Sequence, residues 1–232
     1  MHRFALLGWL WPLARQLVQL VVLVFLFGHV LNLHIRDYPL FVFSGLIVWN
    51  WFQAALLAAS TSFIADRHLV FSPRLPNGVL PLVAMSVPLI DTVMALPILL
   101  VAVAADGRLH PTFLLLVPLM LVVMIFIAGL AVAIATLNVY VRDVENVVAV
   151  GLLLLFYLTP VFYASRSIPS RFQWLLTVNP MSAAINISRA VILDGRVPSS
   201  VQVGVLLVGA ACSAMFGILV FRRLQGDMVD EL

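Results

Sequence analysis

From Thr112 to Leu137 the chain reads TFLLLVPLMLVVMIFIAGLAVAIATL, 26 residues without a charge. A helix of that length rises about 39 Å at 1.5 Å per residue, enough to cross the roughly 30 Å hydrocarbon core of a bilayer. Similar runs recur on both sides of it and predict spans at residues 16–33, 40–63, 79–105, 112–137, 146–163 and 198–221. Backbone crosses lipid only when hydrogen-bonded within itself, and an ionised side chain there is disfavoured by about 2.5 to 3.5 kcal/mol. Composition agrees, since 63% of the 232 residues are hydrophobic and 10% charged, too few charges to cover a water-soluble globule. The expected fold is an all-α membrane bundle of six spans filling residues 1–232, which leaves no room for an extramembrane catalytic domain.

A further apolar run, Phe172 to Ser188, is short for a span and is broken by Asn179-Pro180, where proline removes a helix donor. It predicts a re-entrant pair of half-helices within 168–190, between the fifth and sixth spans, with both termini on one side. The first run follows Met1-His2-Arg3 without a small-residue cleavage pattern and is expected to be retained. With both ends inside, Arg3, Arg15, Arg67, Arg74, Arg142, Arg222 and Arg223 are cytoplasmic and Arg36 and Arg108 external, as the positive-inside rule prefers. Arg166, Arg171, Arg189 and Arg196 then crowd the external segment between spans five and six and nearly cancel that bias.

Several chemistries are excluded. All 13 basic residues are arginine, so no lysine holds a nucleotide phosphate and none forms a Schiff base. Cys212 is the single cysteine, which excludes an intrachain disulfide and a multi-cysteine metal site, and no paired histidines or carboxylates stand at metal-ligand spacing. A net charge of +3 without a basic tract gives no nucleic-acid footprint. The glycine expected two residues before Ser44 in an intramembrane serine protease is absent, and His29 is the only histidine inside a span. Neither an enzyme nor a cofactor-binding protein is expected.

Within the second span Gly45, Trp49, Phe52, Gln53 and Leu56 fall along one helical stripe, and Asn50 lies beside it. Trp49 sits near mid-span, where headgroup-level anchoring does not account for it. The stripe either lines a passage, with ring faces stacking on sugars and amides exchanging hydrogen bonds with hydroxyls, or packs helix on helix with amide bonds between them. Asp91 is the only acid well inside a span; it is either an ion-coupling group or gate, or a lone carboxylate bonded to a neighbouring hydroxyl. The loop from Asp66 through Arg67, His68 and Arg74 to Gly78 mixes charge with apolar side chains, as an interfacial helix does under a partner or lipid surface.

An ordered set of short motifs runs nearly the length of the chain: Tyr38-Pro39, Ser44 to Phe52, Asn138 to Val144, Thr159 to Tyr163, Ile168-Pro169, Asn179-Pro180-Met181 and Arg189. In order and spacing it resembles the permease subunit of type-2 ATP-binding-cassette exporters of polysaccharide, which move O-antigen, capsule or teichoic-acid chains, often lipid-linked. The resemblance implies six spans with cytoplasmic termini in a bacterial plasma membrane, a homodimer enclosing a passage, and two copies of a separate ATPase that binds the ATP.

It also assigns places to residues. Gly45 to Phe52, with Gln53, falls on the channel side. The stretch from Asp66 to Pro76, with Arg67, His68 and Arg74, falls on the ATPase-coupling element. Tyr140, Arg142 and Asp143 fall on a cytoplasmic turn, where the charged pair would bond together or cap the next helix. Pro169, Asn179, Pro180 and Arg189 fall on the re-entrant exit segment.

Three departures stand out. Members usually open with a basic amphipathic helix, whereas Met1 here lies close to the first span; Phe71 and Ser72 replace lysines of the coupling loop; and Asn186 replaces a glutamate, so no ion pair with Arg189 is expected. Arginines near span ends, Arg15 and Arg74, are candidates to meet a lipid-linked pyrophosphate. The alternatives are a drug or lipid efflux permease and an ion-coupled carrier centred on Asp91.

Overall fold

The computed structural model describes residues 11–31, 35–70, 78–226 and 228, and contains helices and connecting turns with no strand among them. Helix α1, Trp11–Leu23, widens into a π-helical turn, Val24–Val30. Helix α2, Tyr38–Ser60, opens with Pro39 inside its first turn and breaks at Thr61 into the one-turn helices α3, Ser62–Ala65, and α4, Arg67–Val70. Helix α5, Val79–Ala105, tolerates Pro88 and Pro97 in its interior. A 3-10 turn, Pro111–Leu115, leads into α6, Leu116–Tyr140, and α7 is Val144–Leu158. The chain ends with α8, Gln173–Val178, α9, Pro180–Ile192, and α10, Ser200–Leu224.

Among the described residues five helical segments are long and apolar enough to cross a membrane: Leu13–Val30, Tyr38–Ser60, Val79–Ala105, Pro111–Tyr140 and Ser200–Leu224. The all-helical, multi-span fold expected from composition is the one found. Helix α7 is apolar but has only 15 residues, about 22 Å of rise, and it stops five residues before the expected limit of 163. The cause is local. Pro160 disfavours helical backbone at Thr159, which sits at φ −96° and ψ 138°, so the chain leaves α7 extended.

Helix α2 is the centre of the bundle, with 61% of its apolar window buried against 6 to 33% for the other four segments. Those four turn apolar faces outward, among them Val101, Leu114, Val117 and Val208, as helices solvated by lipid do. Helices α6 and α10 cross closely because glycine lets their backbones meet: a Cβ on Gly217 would fall against the backbone of Gly129, and one on Gly129 against Ser213. Ser213 Oγ donates to the Phe126 carbonyl across the crossing at 2.6 Å.

Candidate functional site

Helices α1, α2 and α5 enclose a polar cleft of about 400 Å3 in this otherwise apolar bundle. Arg15, Gln16 and Gln19 reach it from α1, Asn50 and Gln53 from α2, and Asp91 from α5. Asn50 and Asp91 lie near the mid-length of their helices, so the polar lining extends to mid-depth. Three of the amides are fixed. Asn50 Nδ2 donates to Gln19 Oε1 at 3.2 Å, tying α2 to α1, and Gln53 Oε1 accepts from Trp49 Nε1 at 2.9 Å, which leaves the Gln53 amide hydrogens free for the cleft. Arg15 and Asp91 face the same space without forming an ion pair. Trp51 walls one side, and its buried indole N–H has no partner among the described residues. The wall thus offers donors, acceptors, one cation, one anion and a ring, a set that suits a ligand rich in hydroxyls.

The stripe expected on α2 divides. Asn50 and Gln53 face the cleft, whereas Trp49 and Phe52, 0% and 2% exposed, are packed inside the bundle. Trp49 lies 5.5 Å from Phe52 and 5.6 Å from Phe156, and Phe52 stacks on Phe126 at 5.9 Å, so these rings join α2 to α6 and α7. Trp49→Ala is expected to destabilise the chain by about 3 to 5 kcal/mol, the range for truncating a buried large aromatic. Thermal unfolding in detergent would measure it, and an unchanged melting temperature would return Trp49 to a passage.

A knot at the end carrying the α2 N-terminus gathers motifs more than 100 residues apart. The turn at residues 159–162 leaves the carbonyls of Pro160, Val161 and Phe162 outside any helix, and two side chains, Arg189 and Tyr38, satisfy them while Asn179 holds the Thr159 hydroxyl. Arg189, 6% exposed, donates from Nη1 to Pro160 O at 2.6 Å and from Nη2 to Val161 O at 2.5 Å. Its Nε donates to Phe41 O at 3.3 Å while the guanidinium stacks on the Phe41 ring at 3.6 Å. Tyr38 Oη donates to Phe162 O at 2.7 Å. Asn179 caps α9 by accepting from Met181 N at 2.9 Å and donates to Thr159 Oγ1 at 3.1 Å. Gly45 makes room, since a Cβ there would lie 2.7 Å from Arg189 Nη2. Pro180 starts α9, where a missing N–H is harmless, and Pro169 precedes the short turn Ser170–Phe172.

The opposite end holds the expected coupling residues. Asp66, Arg67 and His68 are exposed just beyond α2, and Arg142 and Asp143 are exposed on the turn after α6; Arg74, with Phe71 and Ser72, lies outside the described residues. One residue joins the two places: Asn138 Nδ2 donates to Ser60 O at 2.9 Å, and its Oδ1 accepts from Glu145 N at 3.2 Å, capping α7. This corrects the expected role of the charged pair. Arg142 and Asp143 form no ion pair among the described residues, and Asp143 makes no side-chain cap; the buried amide of Asn138 takes that donor instead. Tyr140 Oη donates to the Leu224 carbonyl, which holds α10 to the same corner.

A family model described as ABC-2 type transporter matches residues 1–193. The chain belongs to the ABC-2 type transporter family. The O-antigen export system permease protein RfbA of Klebsiella pneumoniae is 28% identical over 233 residues, covering 100% of this chain and 90% of that protein. Its namesake in Myxococcus xanthus is 30% identical, covering 91% of this chain and 85% of the relative. The polysialic acid transport protein KpsM of Escherichia coli is 21% identical, with 97% and 89% covered. Within this ABC-2 chain, Gln16, Gln19 and the capping amide of Asn138 escaped the sequence reading. A signal for the first two existed, since Gln19 stands four residues after Arg15 and three after Gln16, on one face of an apolar helix.

Proposed function

We propose that this ABC-2 chain is the membrane half of a polysaccharide exporter, works as a homodimer and is driven by two copies of a separate ATPase. The observation that carries the reading is the end-to-end likeness to O-antigen export permeases, and the polar cleft supports it. The proposed setting is a bacterial inner membrane crossed six times, with both termini cytoplasmic. Helices α1 and α7 are little covered by the rest of the chain, which suits them to border a second copy. ATP-driven closure of the ATPases pushes the exposed segment Asp66 to His68; the Asn138 corner passes that displacement to α6 and α7, and helices bordering the passage tilt. Asn50, Gln53 and Gln19 then exchange hydrogen bonds with successive sugars, and Arg15 meets an anionic group at the entrance.

The test is co-purification with a separate ATPase subunit from the cells that make the permease. The permease alone should hydrolyse no ATP, the complex should, and deletion should leave polysaccharide inside the cell. Transport by the isolated chain without nucleotide would overturn the proposal.

Asp91, in the cleft with Arg15, favours a second reading, a proton- or sodium-coupled carrier. The two readings differ on one variant. In the ATP-driven exporter Asp91→Asn keeps a hydrogen-bonding group of the same shape and is expected to lower export only about threefold, within the range of one neutral hydrogen bond, while Asp91→Leu lowers it more. Loss of all transport in Asp91→Asn, together with arrest when the ion gradient collapses at constant ATP, would favour the carrier.

A further inference from the structure

Three of the four arginines that offset the positive-inside bias in the sequence, Arg166, Arg189 and Arg196, converge in space with Arg36 and Arg108. A cleft of about 700 Å3 opens at the end of the bundle that carries the α2 N-terminus, and Arg36, Arg108, Arg166, Arg189 and Arg196 line it against only Asp37 and Asp194. The five arginines come from four separate parts of the chain. Arginines that merely snorkel to headgroups would be spread round the rim; these share one concavity, where walls of one sign focus the field and concentrate counter-ions.

Part of this charge is already committed. Arg189 holds the carbonyls of the knot. Arg108 donates to Asp37, which also receives Arg36 Nε at 3.3 Å, and Asp37 keeps a left-handed φ of 50° to present its carboxylate there. The hydrogen bond with Asp37 raises the pKa of Arg108 above its ordinary value. Arg166 and Arg196 remain exposed and form no ion pair among the described residues, beside the Ser165–Asn186 hydrogen-bonded pair. Their guanidinium forks match the oxygens of phosphate and carboxylate.

We propose that this cleft is an anion-binding station at the exit, which receives phosphate or carboxylate oxyanions of the substrate as it leaves. It rests on reading this end as external and the protein as an exporter. The oxyanion comes either from the diphosphate that joins lipid to glycan or from acidic sugars of the glycan itself.

The test uses the full-length permease in phosphatidylcholine nanodiscs, with inorganic pyrophosphate, a sialic-acid hexamer and neutral maltohexaose as calorimetric probes. Both or either of the anions should bind, more weakly as salt rises, and maltohexaose should not. Arg166→Gln with Arg196→Gln should weaken anion binding about tenfold per arginine removed, the scale of one charge-assisted hydrogen bond. Arg171→Gln removes an arginine that stacks on Phe172 outside the cleft and should change nothing. The probe that binds more tightly identifies the source. The station is overturned if neither anion binds, or if Arg171→Gln weakens binding as much as the double variant does at equal melting temperature. No ATPase enters the assay, so its failure leaves the export reading standing, and failure to pair with an ATPase would leave the station standing.

Discussion

Arg189→Met is expected to abolish accumulation of folded permease. Methionine fills much of the arginine's volume but leaves the carbonyls of Pro160, Val161 and Phe41 without their donor. Each hydrogen bond to a charged group contributes about 1.5 to 3 kcal/mol, and a buried acceptor left bare adds its own penalty. Even two such losses approach the whole stability of many domains, about 5 to 15 kcal/mol. Arg189→Lys is not a rescue, because a single ammonium on a flexible stem cannot meet three carbonyls set around a planar fork and stacked on Phe41. Yield and monodispersity of a fluorescent fusion in detergent would read the effect. Wild-type yield and melting temperature in Arg189→Met, with export alone lost, would show that the guanidinium serves the substrate and not the knot.

Gly217→Val carries the second large effect. The added Cβ would meet the Gly129 backbone, not a side chain that can rotate away, so α6 and α10 must separate along their crossing and lose the Ser213 to Phe126 bond as they do. Overpacking of this kind destabilises by about 1 to 3 kcal/mol and occasionally more, and a loss of 3 kcal/mol in a chain of this size lowers the melting temperature by about 10 °C. Gly217→Ala should already be harmful, since Cβ itself is the obstacle. Gly204 lies on the same helix with nothing within 4 Å of its Cβ position, and Gly204→Ala should be neutral or slightly stabilising. Equal melting curves for the two alanine variants would contradict the close crossing.

The all-helical fold was legible because lipid forbids unpaired backbone and charge, and both restrictions leave long apolar runs in the sequence. The early end of α7 was legible too, for Thr159-Pro160 is a local signal, but apolar composition continuing through Val161 and Phe162 masked it. The fate of the α2 stripe was not legible. A helical wheel shows that Trp49 and Phe52 share a face with Gln53 but says nothing of what meets that face, and Phe126 and Phe156 arrive from distant helices. Asn138 was hidden for a related reason, since its partners, Ser60 O and Glu145 N, are backbone atoms without residue identity. The arginines of the wide cleft were each visible as an anomaly of topology; their convergence required the fold. The small residues Ser213 and Gly217 stand four apart where α10 meets α6, and Gly209, one turn earlier, meets Pro180 at the start of α9; that spacing was a signal the sequence carried and the span assignment did not use.

Most protein clasps that hold a deeply placed arginine oppose it with a carboxylate, and such a clasp loosens when acid protonates the partner or when salt shields it. Here the guanidinium closes on Pro160, Val161 and Phe41 through peptide oxygens, which have no proton to gain anywhere in the physiological range. The joint between the α7 exit and α9 is therefore indifferent to acidity and brine on the side it faces, so changes in the bathing medium reach the surface arginines without unfastening the frame behind them.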